Sequence, residues 1–255
     1  MNLLIEVTKK CNLYCDHCLR GNMENKSIKQ EDIEILFSHI QQIDCLTLSG
    51  GEPALVPNKI QMILAMAEKY GVDIFSFYIA TNGTIASKKF LQCLFDLWCY
   101  CSENEISSVD ISNDVFHDQD LIEKNLQKFK AFSFIKYKYY PRTYYDNYED
   151  NNPFPDYFDD YNDFENILPQ GRGMSYSGYS EMNKPTLETY KENPGDFELY
   201  LNCNGNLILG CDWSYDEQEN HKFCHVSELE HYIGDECLED VENWIYKLNK
   251  TKENA

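Results

Sequence analysis

Cys11, Cys15 and Cys18 stand in the run KKCNLYCDHCLRG, with three residues and then two between them. One tight loop can fold thiolates this close around a single centre, and soft sulfur ligands select zinc, copper(I) or iron–sulfur clusters. A structural zinc site is closed by four protein ligands, whereas three ligands leave one metal position open for a group that is not protein. His17, in the same run, is the zinc alternative's fourth donor, although it adjoins Cys18 and would reach the metal from a strained position. A second segment able to do chemistry is SGGEP at 49–53. Gly50 and Gly51 allow backbone to approach a ligand closely, and Glu52 offers a carboxylate to an ammonium group or to a local hydrogen bond.

These residues need elements to position them, and the periodicity of the chain supplies an alternation. Runs at 3–8, 45–49, 74–81, 108–112 and 132–140 predict strands, with a weaker one at 166–168. Between them, 31–43, 58–70, 88–100 and 120–130 carry apolar residues at helical spacing. Such alternation predicts parallel βαβ units with right-handed crossovers, hence an α/β barrel or a doubly wound sheet. In both, chemistry gathers where strands end, and the cysteine run follows the first strand as SGGEP follows the second. Cys93, Cys99 and Cys101 fall along or beside the 88–100 helix and read as core packing.

The rhythm breaks at 142–165, which holds eight acids, five tyrosines, two prolines and a single basic residue. A segment of that length is a solvated loop or one that orders on contact. From 196 onward FELYLN, NGN and LILGC predict a β-hairpin, followed by a helix at 238–248. The expected division is a main unit at 1–175 and a small C-terminal appendage at 176–255. At 255 residues and 43% apolar composition the chain buries a substantial core without staples. A net charge of −21 repels phosphate backbones and anionic headgroups, which excludes nucleic acid and membrane surfaces as expected partners. With no signal pattern or membrane span in view, the expected compartment is the cytoplasm, where the 11 cysteines stay reduced. No Ser-His-Asp triad, Walker loop or paired-carboxylate glycosidase pattern is present.

Cys11, Cys15 and Cys18 together resemble the C-x₃-C-x₂-C loop of the radical S-adenosylmethionine (SAM) enzymes, and Gly50 to Pro53 resemble that family's GGEP loop. The resemblance covers roughly residues 1–175. It implies a partial (β/α)₆ barrel, a [4Fe–4S] cluster on the three cysteines, and SAM on the open iron. Reductive cleavage of SAM would then yield methionine and a 5′-deoxyadenosyl radical that abstracts a substrate hydrogen. By the same resemblance His17 occupies the position near the adenine, where the family commonly has an aromatic residue, and Gly50, Gly51, Glu52 and Pro53 receive the methionine end. Thr81 and Asn82 match the TNG turn, Ser112 and Asp114 match a segment near the ribose, and Arg172 in LPQGRG matches a late-barrel residue near the adenine. The bland alternatives are a helix N-cap region for Ser112 and Asp114 and a surface ion pair for Arg172.

Cys203, Cys211 and Cys224 surround the predicted hairpin and resemble the opening of the cysteine-rich extension of peptide-modifying family members. After Cys211 only Cys224 and Cys237 remain, so a truncated version would hold one second cluster, or a zinc ion with His221 or His225; buried free thiols are the structural alternative. His117 is either a proton-exchanging group or a hydrogen-bonded structural residue. The partners implied are SAM, a reductant protein such as flavodoxin or ferredoxin, and a substrate, for which a basic peptide drawn by the acidic loop is the first candidate. A small-molecule substrate, a glycyl-radical activase and a non-catalytic zinc or iron–sulfur binding protein are the competing readings.

Overall fold

The computed structural model of the chain describes residues 1–112, 117–132, 136–139, 170–175 and 198–229. The first strand, β1 (Asn2–Thr8), is buried along all but its first residue, as a strand covered on both faces of a parallel sheet must be. Leu3, Ile5 and Val7 enter the main core, whereas Leu4 joins Tyr200, Ile208 and Trp213 in a second apolar cluster on the opposite face. Strands β2 (Gln42–Gly50), β3 (Asp73–Thr81), β4 (Ser108–Ile111) and β5 (Lys136–Tyr139) follow in parallel register, each paired with its predecessor. Their crossovers are α1 (Gln30–Phe37), α2 (Pro57–Tyr70), α3 (Lys88–Tyr100) and α4 (Gln119–Phe129).

Strand order in this part is 1-2-3-4-5 without reversal. Right-handed crossovers between sequential neighbours leave their helices on one face, and α1 packs on α2 as α2 packs on α3. This rules out a doubly wound arrangement of β1 to β5, because that needs the order to reverse within the set. The apolar stripes of the helices explain the packing: Ile33, Leu36 and Phe37 of α1, Ile60, Ile63 and Ala67 of α2, and Phe90, Leu94 and Leu97 of α3 are all enclosed. Each fully buried Ile, Leu or Phe contributes about 1.5–3 kcal/mol. Ser87 caps α3 by accepting from the Phe90 N–H, and Asp118 caps α4 by accepting from the Leu121 N–H.

Several sequence expectations are corrected. The helix expected over 31–43 ends at Phe37, and Gln42 and Ile43 open β2, where Ile43 lies opposite Ile74; a short apolar run fits both periods, and pairing with β3 decides it. The hairpin is not an appendage beside the sheet. Its first strand, β6 (Glu198–Leu201), lies parallel on the free edge of β1, with β7 (Asn206–Leu209) and β8 (Lys222–His225) antiparallel beyond it, so the eight strands form one sheet. Strand β8 had no counterpart in the sequence reading. Cys93 and Cys101 are core residues as expected, but Cys99 is exposed, since two residues along a helix turn it away from the buried face set by Cys93 and Leu97. The 142–165 segment, the strand expected at 166–168, the helix expected at 238–248, Asp114 and Cys237 lie outside the described residues.

Candidate functional site

The carboxyl ends of β1, β2, β3 and β4 all open on one edge of the parallel sheet, and every motif residue described lies there. The cysteine loop leaves β1 at Thr8, and SGGEP leaves β2. Here the two glycines let backbone approach backbone. A Cβ on Gly50, whose φ is +137°, would stand 2.1 Å from the Thr8 carbonyl oxygen, and one on Gly51 would stand 2.1 Å from that of Lys10. The closeness serves two hydrogen bonds: the Gly51 N–H donates to Thr8 O and the Glu52 N–H to Lys10 O, both at 2.7 Å. The start of the cysteine loop is thus laid directly on the glycine turn.

Glu52 is completely buried and spends its carboxylate inside the protein. One oxygen accepts from the Ala54 N–H at 2.9 Å and the Thr81 hydroxyl at 2.7 Å; the other accepts from the Asn82 N–H at 2.7 Å. Burial pushes its pKa above the ordinary carboxylate value against the pull of those three donors. Pro53 begins the short 3₁₀ turn Pro53–Leu55 and is buried. Asn82 then closes the circuit, its side-chain N–H donating to the Asn12 side-chain oxygen at 3.1 Å, while the Asn12 amide donates to the Thr84 hydroxyl at 2.8 Å. The Cys loop, the GGEP turn and the TNG turn form one hydrogen-bonded unit, in which Glu52, Thr81 and Asn82 act on each other.

From the other side, the loop is held by the Gln170–Arg172 turn. A Cβ on Gly171, at φ +55°, would stand 2.3 Å from Leu19 O and 2.5 Å from Cys18 O, so only glycine lets the two backbones meet. The Arg172 N–H donates to Cys18 O at 3.0 Å, its Nε to Cys15 O at 2.8 Å, and its terminal amine to Gly21 O. Its guanidinium also stands 3.9 Å from the centroid of the exposed Tyr14 ring. Arg172 therefore grips the carbonyls of the loop. The Ser112 N–H donates to Thr81 O at 2.9 Å; the N-cap of α4 is Asp118, so the capping alternative for Ser112 is set aside.

Cys11, Cys15 and Cys18 are half-buried. Burial raises the Cys11 pKa, with Glu52, Cys15 and Cys18 adding to it and a hydrogen bond from the Leu13 N–H, 3.5 Å from its sulfur, opposing. The Cys15 sulfur lies 3.9 Å from Nε2 of His117, whose ring meets that of His17 edge to face at 5.7 Å. Among the described residues no three His, Cys, Asp or Glu side chains converge on one point as the ligands of a single bound ion do. A cluster ties each cysteine to a different iron and spreads its ligands more widely. Three soft donors on one loop, a backbone N–H already aimed at sulfur, and a buried Tyr215 hydroxyl beside the loop with no partner among the described residues all fit a [4Fe–4S] cluster.

The structure does not bring Cys203, Cys211 and Cys224 together as a second centre. Cys224 of β8 packs in the main core and Cys211, past the end of β7, against the Leu4–Trp213 cluster on the opposite face of the sheet. The Cys203 thiol donates to the Glu6 carbonyl oxygen at 3.0 Å. Nor are the histidines disposed toward them: His221 stacks on Trp213 with centroids 3.5 Å apart, and His225 contacts Ser227 and the Asn204 carbonyl. Sequence reading also passed over Glu6, a charged residue inside an apolar strand, which was the available signal. Fully buried, it accepts from the Cys203 N–H at 3.1 Å, the Gln218 amide at 2.9 Å and the Tyr200 hydroxyl. Nothing in the pattern marked Asn12 or Arg20; the latter is enclosed and donates at 2.6 Å to the carbonyls of both Cys211 and Trp213.

No family model matches the chain. Among curated proteins it is 33% identical over 87 residues to a probable GTP 3′,8-cyclase of Pyrococcus abyssi, covering 32% of this chain and 27% of the relative. It is 26% identical over 92 residues to a GTP 3′,8-cyclase of Rhizobium leguminosarum, covering 34% and 26%. An uncharacterised protein of Methanocaldococcus jannaschii is 27% identical over 100 residues, 38% of this chain and 35% of that one. The chain thus spans about a quarter to a third of the length of these relatives. Among solved structures, native anSMEcpe with bound AdoMet and Cp18Cys peptide superposes with a TM-score of 0.41 at 19% identity, over 53% of this chain and 41% of that one. Streptococcus suis SuiB gives 0.36 at 13% identity, over 81% and 59%. Triad, GGEP and TNG motifs stand in their order at the ends of β1, β2 and β3, and together with the segments shared with two GTP 3′,8-cyclases they support the resemblance of this chain to the radical SAM superfamily.

Proposed function

We propose that the chain holds a [4Fe–4S] cluster on Cys11, Cys15 and Cys18, cleaves SAM reductively, and takes a hydrogen atom from a peptide substrate. The observation that carries this reading is the hydrogen-bonded unit of Cys loop, GGEP turn and TNG turn, which presents three half-buried thiols at the carboxyl edge of the sheet. When bound, the cluster with its SAM supplies one-electron cleavage of the sulfonium and hydrogen abstraction. The chain's own residues supply placement. Gly51 and Glu52 anchor the loop's start and Arg172 its end, so the segment carrying the thiols is tied at both sides. In this reading the Gly50–Pro53 turn faces the methionine end of SAM, with Thr81 and Asn82 behind it. His17 and Arg172 border the adenine, and Ser112 and Asp114 the ribose.

A peptide substrate is supported by the acidic, tyrosine-rich 142–165 segment, whose field favours a basic chain, and the electron is assigned to a flavodoxin or ferredoxin. The segments shared with GTP 3′,8-cyclases favour a small-molecule substrate as the second reading. A net charge of −21 weighs against a polyphosphate in that role. The test is anaerobic iron–sulfur reconstitution, then dithionite and SAM, with 5′-deoxyadenosine scored by chromatography. Product is expected from wild type and not from Cys15→Ala. A fully loaded wild type that forms none would instead mark a non-catalytic metal protein.

A further inference from the structure

Tyr215 lies on the stretch between β7 and β8, outside every motif, yet it touches the cysteine loop at both of its ends. Its N–H donates at 3.1 Å to the carbonyl of Arg20, two residues beyond Cys18. The ammonium of Lys9, two residues before Cys11, stands 4.5 Å from the centroid of its ring and is held there by Glu24 at 2.9 Å. The residue is 7% exposed, its hydroxyl is enclosed, and among the described residues nothing lies within hydrogen-bonding reach of that oxygen. An enclosed hydroxyl without a partner carries its full desolvation cost, and in a folded site it points to an acceptor the side chains do not provide. Burial first, then Glu6 and Cys18, hold its pKa above the ordinary tyrosine value against the pull of Arg20, so the group remains a donor.

Tyr215 is seated against the cysteine loop by its backbone, through Arg20, and by its ring, through Lys9, and Cys18 is among the groups whose charge acts on its hydroxyl. A neutral Cys18 thiol is a poor acceptor, whereas a thiolate or a bridging sulfide carries the negative charge that attracts an O–H. We propose that the Tyr215 hydroxyl donates a hydrogen bond to sulfur of the cluster assembly on its Cys18 side and thereby sets the reduction potential of that cluster. The inference rests on the radical SAM reading. Hydrogen bonds to cluster sulfur favour the reduced, more negative state, so Tyr215 makes the electron easier to accept. It is a positioning and tuning residue, not a catalytic one. It also gives the strands beyond β6 a task at the loop: they bring the donor.

The experiment compares wild type with Tyr215→Phe, each as apo protein and after anaerobic reconstitution with iron and sulfide. Three quantities are read: iron and sulfide per chain, the thermal midpoint of the apo form, and the midpoint potential from redox-poised electron paramagnetic resonance. Apo Y215F should melt no lower than apo wild type, since it loses an unpartnered group, while the loaded variant should show a more negative potential or fail to retain its cluster. A purely structural hydroxyl would reverse this, lowering the apo melting point and leaving the potential in place, and that result overturns the inference. A loaded Y215F matching wild type in potential and retention overturns it as well. A wild type that takes up no cluster overturns the proposed function first and this inference with it.

Discussion

The side-chain amide of Asn82 donates to that of Asn12 at 3.1 Å across 70 residues of sequence, tying the end of β3 to the residue directly after Cys11. The Asn82 side-chain oxygen accepts from the Thr84 N–H at 3.1 Å and the Thr84 hydroxyl at 2.6 Å. Asn82→Ala leaves those buried donors and the Asn12 amide short of a partner. A cost of about 1–3 kcal/mol follows. Calorimetry should record the lowered thermal midpoint, and iron per chain after reconstitution should fall, because the loop loses its tether to β3.

Gly51→Ala tests the close approach of the glycine turn. Its Cβ would stand 2.1 Å from the Lys10 carbonyl oxygen and 2.6 Å from the carbonyl carbon, both backbone atoms that cannot swing aside. Moving the turn or the loop costs about 2–3 kcal/mol, in the range of overpacking. Denaturant titration should show it, and the variant should bind iron poorly even under conditions where it is fully folded.

Glu52→Gln bears on pH. Burial places the folded pKa of Glu52 above its unfolded value, so between the two values the folded chain holds a proton that the unfolded chain has lost. The stability due to this shift is complete below the ordinary carboxylate pKa and declines as pH rises through the higher folded value. The stability gap between wild type and E52Q, measured by urea denaturation, should therefore narrow from about pH 4 towards neutrality. A gap that widens over that interval would mean that the three donors outweigh burial.

Arg172→Lys keeps the charge but loses the planar fork that reaches the carbonyls of Cys15 and Gly21 together. Global stability should change by about 1 kcal/mol, the size of one net hydrogen bond. Release of iron to a chelator from the reconstituted protein should be several-fold faster. The two readouts separate a clamp on the loop from a contribution to the core.

The strand-helix alternation through α4 was legible because each element carries its own periodicity, and the thiol run and GGEP because their residue types are rare in combination. What the residues touch was not legible. Gly50 and Gly51 permit a close approach without saying to what, and the answer, Thr8 and Lys10, depends on parallel β1 and β2 ending at one edge. The tether through Asn12 uses an amide that no pattern distinguishes from a solvated one. Cys203, Cys211 and Cys224 are near in sequence, but Cys224 packs into the main core while Cys211, past the end of β7, packs against the cluster on the other face. Strand β8, four residues long with one apolar aromatic, is too short for period-two counting.

The union of β1 with β6 also governs how the molecule is made. Asn2 lies opposite Glu198, so β1 waits during synthesis for nearly two hundred further residues before its second edge is sealed. At about 5–20 residues per second that interval lasts roughly 10–40 seconds, during which an apolar ribbon with free amides is open to neighbouring chains. Pairings this distant slow folding, so the seam between β1 and β6 closes late in the formation of the sheet.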